Sequence, residues 1–196
     1  MRVMVVLAHP KRDSFNAALC RSLAEGLGEA GHSVDVADLY AEGFDPRLGP
    51  EELDAMGSGP PAPVVAAYQQ RLLQAQGLVF IFPVWWFGPP AVLKGFVDRV
   101  LQENFAFRFR GTGAVEGLLR HEKALVINTA GVSASLYKVF GFGKPMAKVF
   151  NKWTLQVCGI RKVRHVVFYD VVKTDDATRA RYLAEARRLG REVFSP

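Results

Sequence analysis

Three uninterrupted apolar segments recur along this chain, and each is followed by a segment whose apolar residues have helical spacing. An apolar run without polar alternation is typical of a strand buried on both faces of a parallel sheet. The predicted strands are residues 2–7, 33–39, 77–83, 124–129 and 162–169, the second of which alternates like an edge strand. The predicted helices are residues 14–30, 63–75, 91–101, 144–158 and 175–193. Because strands and helices alternate five times, we predict a doubly wound α/β fold with right-handed crossovers.

Length and composition fit one domain over residues 1–196. The chain is 49% hydrophobic and 22% charged, which is enough to bury a full core. Its net charge of +6 suits anionic ligands such as nucleotides, and it equally suits solubility. The sequence has no lysine- or arginine-dense arm, so nucleic acid is not an expected partner. The uncharged segment 77–93 is interrupted by prolines and is too short for a membrane helix.

The cysteines and histidines predict no metal site. Cys20 and Cys158 lie far apart in apolar segments, which predicts reduced core thiols and a cytoplasmic location. His32, His121 and His165 are scattered without metal-ligand spacing, so we expect them to be structural.

Three segments between the predicted elements are less regular. Residues 40–62 are rich in Pro, Gly, Asp and Glu, and we predict an irregular excursion over the face of the sheet. Residues 102–122 contain alternating phenylalanines and predict a short extended segment with these rings on one face. Residues 128–135 form a loop of small residues, and Asp98 and Arg99 are expected to be an ordinary polar pair.

The loop after the first predicted strand, residues 8–16, suits phosphate binding. Ligands of open α/β sheets bind outside the carboxyl ends of the strands. This loop leads into a helix N-terminus, which favours a phosphate, and His9, Ser14 and Asn16 can add donors. It matches neither the glycine pattern of dinucleotide-binding folds nor the phosphate loop of nucleotide triphosphatases. The alternative is that Asp13 or Ser14 only caps the helix.

The loop after the third predicted strand is aromatic where polar residues are usual. It contains Trp85, Trp86 and Phe87 directly after a buried strand. We expect these rings to line a planar cofactor. The alternative is core packing of one of the two tryptophans, because adjacent residues of an extended chain point in opposite directions.

Three motifs in these loops occur together: Ala8-His9 with Ser14-Phe15-Asn16, residues 82–88 followed by residues 90–100, and residues 128–131. Together they resemble the NAD(P)H:quinone oxidoreductases of the flavodoxin-like superfamily, which include bacterial quinone reductases and potassium-efflux ancillary flavoproteins. The resemblance runs in register from the first strand to about Tyr137 and is looser beyond. It implies a flavodoxin-like fold whose five-stranded parallel sheet has the order 2-1-3-4-5.

The resemblance also implies a role for each matching residue. Four residues would hold the phosphate chain of a flavin: His9, Ser14, Phe15 and Asn16. Five would follow the edge of its isoalloxazine ring: Pro83, Val84, Trp85, Trp86 and Phe87. Three would meet its pyrimidine side: Thr129, Ala130 and Gly131. Tyr137 would act as the catalytic residue at the reactive edge and would bind substrate together with Phe107 and Phe109.

The implied activity is two-electron hydride transfer from NAD(P)H, through FAD or alternatively FMN, to quinones with ping-pong kinetics. The length of the 40–62 excursion favours FAD, because it leaves room for an adenine-binding wall. The family also implies a homodimer whose interface includes Phe105 to Phe109 and the helix near residues 144–158.

The sequence departs from the family pattern at the substrate side. Gly143 stands where larger relatives have a histidine proposed to pass a proton, so that role would fall to Tyr137 with Lys144 or to water. Phe107 and Phe109 replace two tyrosines and cannot supply their hydroxyl groups, and Val132 replaces a second glycine in the small-residue loop. These departures predict that substrate preference differs from that of the larger relatives.

Two other functions fit parts of the sequence. The first is a regulatory flavoprotein that docks on a potassium-efflux-type membrane transporter. The second is a one-electron carrier of the flavodoxin type. The basic composition and the absence of a Ser/Thr-rich phosphate loop make the carrier the weaker alternative.

Overall fold

The protein is described from a computed structural model that covers residues 1–111, 113–141 and 143–194. Its strands are β1 (Arg2–Leu7), β2 (Ser33–Asp38), β3 (Gly77–Pro83), β4 (Phe107–Phe109), β5 (Val115–Gly117), β6 (Lys123–Thr129) and β7 (Lys162–Phe168). Its helices are α1 (Phe15–Glu29), α2 (Pro50–Ala55), α3 (Pro63–Gln74), α4 (Ala91–Val100), α5 (Ala134–Val139), α6 (Gly143–Ala147) and α7 (Asp176–Glu192). A π-helix, Lys148–Gln156, continues α6.

The main sheet has five parallel strands in the order β2-β1-β3-β6-β7. Strands β4 and β5 are outside this sheet, so β6 and β7 are its fourth and fifth strands in chain order. The order is then the predicted 2-1-3-4-5, and the predicted fold is confirmed. Strand β2 is at the edge, as its alternating pattern indicated. The extended segment predicted within residues 102–122 is the β4–β5 antiparallel hairpin. No helix in the described ranges is long and apolar enough to span a membrane.

Helices cover both faces of the sheet. On one face, side chains such as Phe80 and Phe82 pack against α3, α4 and the π-helix. On the other face, side chains such as Val79 and Ile81 pack against α1 and α7. Successive residues of β3 therefore serve opposite cores, as the period of two in a strand requires. Both cysteines are buried and free, as their apolar surroundings predicted.

Helices α1 and α7 approach each other closely at two glycines. A Cβ atom added at Gly26 would overlap the carbonyl oxygen of Arg187, and one added at Gly190 would lie 2.8 Å from the amide nitrogen of Leu27. Backbone therefore meets backbone at this crossing, which leaves no room for a larger residue on either helix.

The prediction of an ordinary polar pair at Asp98 and Arg99 is wrong for Arg99. The Arg99 guanidinium is buried, lies 2.7 Å from a Glu52 carboxylate oxygen, and stacks over the Phe44 ring at 5.3 Å. It also donates to the carbonyl oxygen of Asp45. Arg99 therefore anchors the 40–62 excursion, which contains the short helix α2, to helix α4.

Two local predictions were also inaccurate. The region around the small-residue loop contains α5, whose Ser133 cap accepts from the Leu136 amide at 3.4 Å. The predicted helix 144–158 is α-helical only in its first turn. In the π-helix the buried residues Phe150 and Leu155 are five positions apart, which suits its wider turn.

Candidate functional site

The three loops expected to form the site meet at the carboxyl end of the sheet and are joined by hydrogen bonds. The amide of Ala8 donates to the carbonyl of Ile81 at 3.0 Å, and the amide of Val84 donates to the carbonyl of Thr129 at 2.8 Å. The side-chain amide of Asn16 donates to the hydroxyl of Thr129 at 2.9 Å, and both groups are buried. The first, third and fourth parallel strands thus end in one connected surface.

The first loop presents donors toward this surface. Ser14 caps α1, because its hydroxyl accepts from the Ala17 amide at 3.2 Å, while helix geometry leaves the amides of Phe15 and Asn16 without intrahelical acceptors. The Nδ1 atom of His9 accepts from the Lys11 amide at 3.1 Å, so the ring proton is on Nε2. Burial lowers the pKa of His9, which keeps this ring neutral at pH 7.

Two of the predicted phosphate-binding side chains have partners within the protein. The Phe15 ring packs against Tyr182, with ring centroids 6.4 Å apart, and carries the Arg179 guanidinium over its face at 5.5 Å. The Asn16 amide is committed to Thr129. At these two positions, the backbone amides rather than the side chains are the groups available to a phosphate.

The aromatic loop is a tight turn. Trp85 and Gly88 exchange backbone hydrogen bonds at 3.1 and 3.0 Å, and the two residues between them have φ values of 49° for Trp86 and 60° for Phe87. This is the pattern of a type I′ turn, which favours glycine and asparagine. Neither tryptophan is a core residue: the exposed fractions are 44% for Trp85 and 97% for Trp86. A strained turn that holds bulky rings in solvent is a feature associated with ligand sites.

We expect Trp86→Gly to stabilise the protein without ligand and to weaken binding of the flavin that the family resemblance implies. Glycine relieves the positive φ, for a gain of about 1 kcal/mol in the free energy of unfolding, but it removes the ring. Trp86→Ala is the matched control, because it removes the ring and keeps the strain. Thermal unfolding and flavin titration measure the two effects. Equal unfolding midpoints for the Gly and Ala variants would show that Trp86 stores no strain.

The loop after β6 is partly closed to a ligand. The Ala130 amide already donates to the carbonyl of Phe168 at 2.9 Å, and Thr129 and Ala130 are buried. Gly131 is exposed, and Val132 beside it is 36% exposed. Gly131 is therefore the exposed one of the three predicted pyrimidine-side residues.

Tyr137 is more enclosed than its predicted role suggests. Its side chain is 4% exposed and its ring meets the Tyr169 ring edge to face at 5.3 Å. A Cβ atom added at Gly143 would lie 2.6 Å from Cε1 of Tyr137. The tyrosine ring thus occupies space that a side chain at position 143 would need. Both residues line a cavity of about 530 Å³, together with Lys144, His165 and Tyr169.

Phe107 and Phe109 are not brought together with Tyr137. Their rings meet edge to face at 5.7 Å, on one side of the β4–β5 hairpin as predicted. They line a separate cavity of about 460 Å³ with Trp153, Val157 and other residues of α4 and the π-helix. Within one chain, the predicted substrate residues therefore belong to two different cavities.

A polar network that was not predicted from the sequence lies behind these loops. Asn128 is fully buried, donates to the carbonyl of Phe82 at 3.2 Å, and lies 2.6 Å from Nε2 of His165. Nδ1 of His165 lies 2.8 Å from the side-chain nitrogen of Asn151 in the π-helix. The available signal was Asn128 itself, a polar residue that follows four apolar residues of a buried strand. Over the described ranges, no group of three His, Cys, Asp or Glu side chains is arranged to hold a metal ion.

Comparison with known proteins gives consistent matches over nearly the whole chain. Residues 1–189 match the model of a family described by its flavodoxin-like fold. The chain is 32% identical to an uncharacterized NAD(P)H oxidoreductase of Haemophilus influenzae, over 91% of this chain and 89% of that protein. It is 30% identical to NAD(P)H dehydrogenase (quinone) 1 of Rattus norvegicus, over 93% of this chain and 73% of that protein. Its structure is similar to an NAD(P)H:quinone oxidoreductase from Methanothermobacter marburgensis, with a TM-score of 0.90, 34% identity and coverage of 100% and 98% of the two chains.

Proposed function

Because this chain belongs to the NAD(P)H:quinone oxidoreductase family of flavodoxin-like proteins and is an oxidoreductase, we propose that it binds a flavin and transfers two electrons from NAD(P)H to quinones. The overall reaction converts NAD(P)H, one proton and a quinone into NAD(P)⁺ and the hydroquinone. A bound flavin supplies the hydride chemistry, and the protein supplies binding, orientation and electrostatics. Reductant and quinone would use the same pocket in turn, which gives ping-pong kinetics.

The observation that carries this proposal is the strained, exposed aromatic turn beside a helix N-terminus. Flat rings with large exposed area gain from contact with a planar heterocycle. The start of α1, 15 residues long, offers amide groups and a helix dipole to a phosphate. His9 connects the two features: its ring centroid lies 6.1 Å from that of Trp85, and its Nε2–H is a neutral donor. The residues present therefore suit a flavin that has a phosphate at one end and an aromatic ring at the other.

Residues of this chain have distinct tasks in the proposed site. Ser14 fixes the first turn of α1 by capping it, and the hydrogen bond from Asn16 ties Thr129 to that turn. The aromatic turn would hold the ring system through apolar contact. The Tyr137 hydroxyl is the proposed proton-handling group, and burial raises its pKa, so it is protonated at neutral pH. Gly143 beside it offers no side chain for proton transfer, and the cationic side chains among the described residues that line the same cavity are Lys138 and Lys144.

We further propose that the active protein is a homodimer located in the cytoplasm. The separation of Phe107 and Phe109 from Tyr137 supports the dimer, because one substrate pocket can contain all three residues if the partner supplies the phenylalanines. The exposed apolar side chains of Phe109, Val149 and Trp153 lie on the proposed interface. We propose FAD rather than FMN because the anchored 40–62 excursion offers a wall for an adenine.

The test is reconstitution of the purified protein with FAD and with FMN. We expect tight binding of one flavin, with its visible absorbance, bleaching of that absorbance by NAD(P)H, and return of colour on addition of a quinone. Parallel lines in double-reciprocal plots of the initial rate, at several quinone concentrations, would support ping-pong kinetics. Mass spectrometry of the flavin released from native protein would identify the cofactor. A folded protein that retains neither flavin would overturn the proposed function.

A further inference from the structure

The network of Asn128, His165 and Asn151 connects strands β3, β6 and β7 to the π-helix. The Asn128 amide nitrogen donates to two backbone carbonyls, those of Phe82 at 3.2 Å and Ile127 at 3.3 Å. Its oxygen is therefore turned toward His165, whose Nε2 must carry the proton that it donates. Asn151 then donates to Nδ1 at 2.8 Å. Each contact fixes the orientation of the next group in the chain.

The His165 ring is neutral in this arrangement. One nitrogen donates and the other accepts, so both are occupied by neutral amide groups. Burial agrees with this assignment, because it lowers the pKa of His165 to about 4. His165 consequently acts near pH 7 as a fixed donor and acceptor and not as a charge.

The network lies directly behind the loops of the candidate site. Phe82 pairs with Asn128 in the sheet, and the next pair, Pro83 with Thr129, ends the two strands directly before the loops. The Phe82 carbonyl that Asn128 holds is thus one residue from the loop that contains the aromatic turn. His165 also lines the cavity that contains Tyr137.

The network is not one that stability alone would select. The Oδ1 atom of Asn151 is buried and accepts no hydrogen bond within the described ranges. A buried acceptor without a donor is costly, and apolar side chains of similar volume would avoid that cost. Supporting hydrogen bonds of this kind are characteristic of sites that must hold a ligand in one geometry.

We propose that His165 is a positioning residue for flavin binding. It acts through Asn128 to hold the loop after β3 and the loop after β6 in fixed positions relative to each other. This inference rests on the proposed function, since the ligand that it serves is the flavin. The two ring nitrogens of His165 bond to Asn128 and Asn151, so its proposed effect on the flavin is indirect. It sets where the backbone groups that bind the flavin are held.

The test compares flavin dissociation constants of the purified apoprotein variants, measured by quenching of FAD and FMN fluorescence. His165→Leu removes the donor to Asn128 and is expected to weaken flavin binding at least tenfold. His165→Gln can place its Nε2 amide where the imidazole Nε2 was, and binding is expected within about threefold of the wild type. His165→Asn is too short to reach, and it provides a polar substitute for the leucine variant if that protein does not fold.

His121 provides a matched control. It is also a buried histidine that makes a hydrogen bond, at 2.9 Å to the carbonyl of Leu72, but it precedes β6 at the opposite end of the sheet. His121→Leu is expected to lower the midpoint of thermal unfolding and to leave flavin affinity within twofold. A second control combines His165→Leu with Asn128→Leu, and this double variant is expected to bind flavin no more weakly than Asn128→Leu alone.

The outcomes separate this inference from the proposed function. Wild-type affinity in both His165→Leu and His165→Asn would overturn the positioning role while the proposed function stands. Equal weakening by His165→Leu and His121→Leu, or failure of His165→Gln to restore affinity, would assign His165 to general stability and also overturn it. A wild-type protein that binds no flavin would remove the proposed function and this inference together.

Discussion

Replacing Arg99 with methionine is expected to lower the free energy of unfolding by about 3 kcal/mol, the lower end of the range for buried ion pairs, because the change leaves the partly buried Glu52 carboxylate without its partner. The side chains of Arg99 and Glu52 are only 7% and 14% exposed, and the arginine also holds the carbonyl of Asp45. Equilibrium denaturation with urea measures this loss. Losing the contacts of Arg99 would also release the 40–62 excursion from α4. Faster proteolysis within that segment would detect this release.

The matched control lies one turn earlier on the same helix. Lys94 and Asp98 form an exposed pair at 2.6 Å, with side chains 62% and 41% exposed, and Lys94→Met is expected to cost less than about 1 kcal/mol. Replacing Glu52 with methionine in the Arg99→Met protein is expected to recover part of the stability, because it removes the unpaired charge. Similar losses for Arg99→Met and Lys94→Met would contradict the buried ion pair.

Gly26→Ala is expected to reduce stability by about 3 kcal/mol, at the upper end of overpacking effects, because its Cβ atom would overlap backbone of α7 and not a movable side chain. For a chain of this size the midpoint of thermal unfolding would fall by roughly 10 °C. Differential scanning calorimetry gives both the midpoint and the enthalpy.

Gly28 provides the control two residues further along α1. A Cβ atom there meets no atom within 4 Å, so Gly28→Ala is expected to be neutral or to stabilise the helix by up to about 1 kcal/mol. The two substitutions add the same methyl group to the same helix. A fall in stability for both variants would point to the helix itself and not to the crossing of α1 and α7.

The fold was predictable because its buried strands have a distinctive apolar sequence pattern. Buried parallel strands such as β3 must be apolar on both faces, and the loops that follow them contain the residues of the family motifs. The π-helix was not predictable from α-helical spacing, since only the contacts of Phe150 and Leu155 with the core reveal its wider turn. The burial of Arg99 was hidden for a similar reason, because its partner Glu52 lies 47 residues away in the chain.

The site was predictable as a set of loops and less so as a set of side chains. Local motifs identified the loop of Ser14 and that of Trp86, but the motif could not show that Asn16 would be used by Thr129. The roles of individual residues at a flavin stay predictions. Asn128 belongs to the motif of residues 128–131, but its pairing with His165 could not be found from the sequence, because His165 belongs to no motif and the two residues meet only when β6 and β7 align.

His121 and Gly77 lie at the amino edge of the sheet, opposite the three loops. This separation has a consequence for the evolution of the protein. At that edge His121 bonds to α3, and Gly77 leaves space for the ring of Phe194. The carboxyl edge contains the aromatic turn, the exposed Gly131 and the cavity of Tyr137. Under the proposed function, substitutions that alter acceptor choice at the carboxyl edge would be separated from the packing contacts of His121 and Gly77 at the other. A lineage can exchange loop residues and acquire new acceptors while the packed layers of the molecule are inherited unchanged.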